Sequence, residues 1–82
     1  MIMVDVYVPA VDREYDFCLN QNVEISLIIE EISEMIAYKE HSRIVGRVEE
    51  LMLCDRENGR ILADNKTLCA CQIQTGSKLM LV

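Results

Sequence analysis

Eighty-two residues with 14 acidic against 8 basic side chains, a net charge of −6, make one small domain over 1–82 with no clustered cations for a phosphate backbone or an anionic bilayer. An apolar share of 51 % and a charged share of 27 % are those of a folded globular chain, and one proline with three glycines excludes a linker or low-complexity repeat. No stretch approaches the ~18 apolar residues of a membrane span, and Asp5 interrupts the one N-terminal run that a secretory signal would need. A cytoplasmic location is expected, with the four cysteines as reduced thiols rather than a disulfide frame.

The N-terminal residues alternate twice. Ile2, Val4, Val6 and Val8 share one side of a strand near 1–8, and Tyr15, Phe17 and Leu19 one side of a second near 14–20. Pro9 to Arg13 supply turn chemistry between them, so a β-hairpin is predicted. The period then changes. Ile25, Ile28, Ile29, Ile32, Met35 and Ile36 recur at three- and four-residue intervals, the stripe of a helix over about 23–39. Asn22 is the predicted N-cap, Glu24 sits in the first turn, Glu30, Glu31 and Glu34 fall on the far face, and Leu27 points outwards.

Beyond the helix, Ile44, Val45 and Val48 are read as anchors of a short turn that Gly46 allows to bend. Leu51 to Cys54 reads as a strand, Asn58-Gly59 as a reversal, and Arg60-Ile61-Leu62 as a short strand pairing back. Thr67 caps a brief helical turn, and Lys78 to Val82 form a last strand after the Thr75-Gly76-Ser77 turn. One helix with one apolar stripe covers one face of one sheet, which predicts a two-layer α+β roll. The first and last strands lie parallel because the helix supplies the crossover.

That order of elements resembles the ubiquitin-like β-grasp roll, a mixed sheet of 4–5 strands on one long helix. The stretch Leu62-Ala63-Asp64-Asn65-Lys66-Thr67-Leu68, then Cys71-Gln72-Ile73-Gln74 and Ser77-Lys78-Leu79-Met80-Leu81, is similar to the C-terminal third of ubiquitin at matching spacing. One departure matters most. Ubiquitin and its sulfur-carrier relatives act through a tail ending in two glycines, whereas this sequence has no Gly-Gly and stops at Val82. Small, acidic, tailless proteins of this kind resemble the YukD/EsaB-like family that accompanies type VII (WXG100, ESX-like) secretion in Gram-positive bacteria. The resemblance implies a non-conjugating, cytosolic accessory or regulatory subunit, with the secretion ATPase or a membrane component as protein partner. The alternative is a modifier or sulfur carrier whose tail lies beyond Val82.

Alternation also assigns the side of the sheet turned away from the helix. With Val4, Val6, Leu53, Leu79 and Leu81 inward, Met3, Tyr7, Met52, Cys54, Met80 and Val82 face outward on neighbouring strands and form a candidate protein-binding patch. A partner protein and self-association are equally compatible with it, and scattered exposure is the plainer alternative. No catalytic, cofactor-binding or metal residue is assigned. Cys69 and Cys71 are too close in sequence for a structural zinc pair, and Cys18 and Cys54 have no paired neighbour. His41 is the only candidate base for a cysteine nucleophile and sits among charged residues beyond the helix, and the three isolated glycines build no phosphate loop.

Overall fold

The computed structural model describes residues 1–41 and 50–82. Its elements are β1 (Ile2–Val8), β2 (Arg13–Leu19), α1 (Ile25–Glu40), β3 (Leu53–Asp55), β4 (Arg60–Ile61) and β5 (Lys78–Leu81). They form a sheet in the order β2-β1-β5-β3-β4, with β1 and β5 parallel and every other neighbour antiparallel. This is the predicted roll, and β5 takes the central position. The turn expected of Ile44, Val45 and Val48 around Gly46 lies outside the described residues.

The core follows from the two periodicities. Val4, Val6 and Val8 of β1 and Leu79 and Leu81 of β5 are buried, as are Ile25, Ile28, Ile29, Ile32 and Ile36 along one face of α1. Met35 packs against this cluster partly buried, while Leu27 is exposed, as its off-stripe position predicts. Ser33 is the one hydroxyl drawn into the buried face, and it donates to the Ile29 carbonyl at 2.7 Å. At the β1–β2 turn Asp12 takes a positive φ of 51°, a conformation aspartate tolerates.

The helix begins later than its pattern predicts. Asn22 is not its cap, because the Asn20 carboxamide oxygen takes the Asn22 N–H in a local turn. Glu24 occupies the cap position without a side-chain bond. The orphan donors of the first turn are met from across the fold instead: Ile25 N–H reaches the Lys66 carbonyl at 2.8 Å and Ser26 N–H the Asp64 carbonyl at 3.1 Å. The 64–67 loop thus ties the helix start to the segment leading into β5.

At the other end His41 closes the helix in the left-handed region, φ 54° and ψ 30°, with its N–H turned to the Ala37 and Tyr38 carbonyls. A Cβ is disfavoured there, so His41→Gly is expected to raise stability by about 0.5–1 kcal/mol. The measurement is the urea midpoint at constant slope; an unchanged or lower midpoint would show that the imidazole contributes more than the backbone relief. The last turn is also fastened to β2, since Glu40 accepts from the Tyr15 hydroxyl and lies 3.6 Å from Arg13 Nε.

Candidate functional site

The side of the sheet away from α1 is ordered in rows by strand register. One row runs Glu14, Tyr7, Met80, Cys54, Ile61 across β2, β1, β5, β3 and β4. Beside it Val82 and Met52 are level with each other, joined by two backbone bonds of 2.6 and 2.9 Å. Tyr7, Cys54 and Met80 are half-buried, and Met52, Val82 and Ile61 are exposed. Five of the six expected patch residues therefore lie in two adjoining rows. Met3 shares the side but stands apart: it is level with Cys18 on β2, beyond a row in which Asp16, Asp5 and Lys78 are level.

Ile61 joins the patch without having been singled out by the sequence. It is 63 % exposed and directly opposite Cys54. A two-residue strand shows no alternation, so the only available signal was to count back across the Asn58-Gly59 reversal to its partner.

Charges frame the apolar rows. The Arg56 guanidinium lies 5.4 Å from the centre of the Tyr7 ring and 3.1 Å from Glu14 Oε1, which pins the β3–β4 turn against the hairpin. The Tyr7 hydroxyl donates to Asp12 at 2.8 Å, and that bond is the main reason its pKa is raised. Asp16 faces Asp5 in the register. A hydrogen bond to Asp5, with the repulsion of its charge, pushes the Asp16 carboxyl above the usual carboxylate range.

The other chemistry-bearing groups are dispersed. Cys18 and Cys69 are exposed thiols, Cys54 and Cys71 half-buried ones, and among the described residues no three His, Cys, Asp or Glu side chains converge to hold a metal. His41 serves the helix end through its backbone. A shallow hollow among Ile2, Gln21, Cys69, Gln72, Ile73 and Thr75 holds a single titratable side chain, the Cys69 thiol. Among the described residues no helix is long and apolar enough to cross a membrane. The arrangement offers adhesion: an apolar, methionine-bearing strip on a rigid sheet, bordered by charge on its β1–β2 side.

Comparison with known proteins bears on the fold and the family. The family model described as "WXG100 protein secretion system (Wss), protein YukD" matches residues 2–81. Among curated proteins none matches. Among solved structures, the chain is similar to the EccD5 ubiquitin-like domain from Mycobacterium xenopi, with a TM-score of 0.77 and 19 % identity over 99 % of this chain and 91 % of that one. It is also similar to the N-terminal ubiquitin-like domain of the 4931431F19Rik protein, with a TM-score of 0.76 and 25 % identity over 99 % and 72 % of the two chains. Ubiquitin of Caldiarchaeum subterraneum shares the fold at a TM-score of 0.72 and 16 % identity, over 98 % and 89 %.

Proposed function

The chain belongs to the YukD family of the WXG100 secretion system, and from that premise we propose that it is an interaction subunit that docks, in the cytoplasm, on a protein component of the secretion machinery. The observation that carries this reading is the pair of apolar rows on the uncovered side of the sheet, Met52 and Val82 beside Tyr7, Met80, Cys54 and Ile61. An uncovered sheet side is normally solvated and polar, so methionine, valine and isoleucine there favour contact with another protein. Methionine suits such a surface because its unbranched side chain repacks against different neighbours. The secretion ATPase and the cytoplasmic parts of the membrane subunits are the partners to test.

Co-expression with those cytoplasmic domains, followed by affinity purification, provides the test. The wild type is expected to retain one of them. Met52→Glu with Met80→Glu is expected to weaken that complex ~30-fold or more, because central anchors typically carry ~2 kcal/mol or more each. Circular dichroism should show the variant folded, since neither side chain belongs to the buried cluster. Undiminished retention of the double variant would remove this face from the interaction.

A further inference from the structure

The row next to the apolar strip has a symmetry of sign. Across β2, β1 and β5 it presents Asp16, Asp5 and Lys78, level in the register. The charges run minus, minus, plus, and the sign reverses at the boundary between β1 and β5. We propose that this face is self-complementary and docks on a second copy of the chain, about a twofold axis parallel to β1 and β5 and lying between them.

Rotation about that axis brings the two faces together, keeps each row at its own level and reverses the order of strands, the condition for an isologous contact. Asp5 then lies over Lys78 of the second copy, and the pairing occurs twice. One row further, Tyr7 lies over the second copy's Met80. A twofold axis across the strands would set Asp5 over Asp5 and Lys78 over Lys78, so the charge pattern selects the first arrangement. The twist of each sheet turns the two sets of strands by ~30° without changing which residues meet at the centre.

The central groups are available for such a contact. Among the described residues, neither Asp5 nor Asp16 has a cation within 4.0 Å, and the Lys78 ammonium has no carboxylate within that distance, although the Lys78 backbone N–H donates to Glu57 Oε1 at 3.1 Å. Two costs keep the association weak. Each copy carries a net charge of −6, a repulsion that salt screens beyond ~8 Å. A standard interface takes ~800 Å² per partner, about 15 % of the 5243 Å² surface, so the whole side of the sheet is committed. The inference rests on the proposed function in one respect, that this side docks on protein. It adds a consequence: the same rows serve both contacts, so a second copy and a secretion partner exclude each other, and protein concentration tunes availability.

Sedimentation equilibrium with a charge swap tests it. The wild type is expected to rise from 9.4 kDa towards twice that mass with concentration. Asp5→Lys alone sets like charges over each other and is expected to remain monomeric, as is Lys78→Asp alone. An equimolar mixture of the two variants restores both opposite-sign pairs and is expected to recover the dimer. A wild type that stays monomeric throughout, single variants that dimerise as it does, or a mixture that fails to recover would each overturn the proposal. A monomeric wild type whose secretion partner is still lost with Met52→Glu and Met80→Glu would overturn it while leaving the proposed function intact.

Discussion

Replacing Ile32 by alanine is expected to remove about 3–4 kcal/mol of stability, the largest single effect from the core of this domain. Ile32 lies midway along α1 with none of its surface exposed, in the same buried cluster as Val4, Val6, Leu53, Leu79 and Leu81. The substitution deletes three carbons from a position that helix and sheet enclose together, so the lost transfer energy is joined by the cost of a cavity. At ~0.05–0.15 kcal/mol per residue, 82 residues amount to ~4–12 kcal/mol in total, and the variant forfeits about a quarter of it or more. Thermal unfolding is expected about 15–25 °C lower. Leu27→Ala on the same helix, at a site 54 % exposed, is the matched control and should stay within about 0.5 kcal/mol. If the two variants lose similar amounts in urea titrations, the stripe is not the helix's packing face.

The same contrast explains what was legible in the sequence. β1, β2 and α1 are each long enough to show their period, so Val4, Val6, Ile28 and Ile32 announce their burial residue by residue. Alternation equally fixes that Met52, Met80 and Val82 point away from the helix. It does not fix how the strands are offset. The pairing of Asp5 with Lys78 and Tyr7 with Met80 is set as the chain enters β5, where the N–H groups of Gly76 and Asp5 bind the carbonyls of Met3 and Ser77. That offset separates Met3 from Met80 by a charged row. The helix start was hidden for a related reason: the acceptors for Ile25 and Ser26 come from Lys66 and Asp64, and no local signal marks a cap supplied from elsewhere in the chain. A two-residue β4 hid the facing of Ile61. Least visible of all was Asp55, an acidic residue that closes β3 where the sequence pattern ends a strand at Cys54.

Asp55→Ala is expected to cost about 3 kcal/mol, because the carboxylate organises the whole β3–β4 turn. It is 2 % exposed and accepts the Glu57 N–H at 3.1 Å, the Asn58 N–H at 3.4 Å, the Asn58 carboxamide at 2.8 Å and Arg60 Nε at 3.3 Å. The Asn58 side chain is the main reason the carboxyl is held below the usual range, aided by the two N–H groups and Arg60 against a burial that pushes the other way. The sign of the pH dependence follows. With the folded value below the ~3.9 of an unfolded aspartate, the unfolded chain takes up the proton first as the pH falls. The stabilisation is complete above about pH 5 and drains away as the pH descends through the unfolded value towards the folded one. Asp55→Asn, which keeps the shape and removes the charge, is expected to be about 1.5–2 kcal/mol less stable at pH 7, a gap that narrows steadily as the pH falls below about 5. Urea titrations of both proteins across that range read the gap directly and cancel the other carboxylates, which titrate equally in each. A constant gap would place the origin of the loss in shape or packing and not in the charge of Asp55. Since β3 carries Cys54 opposite Met80 and β4 carries Ile61, loosening this turn also unsettles one flank of the apolar strip, and the acid-side loss of stability should be matched by loss of whatever binds there.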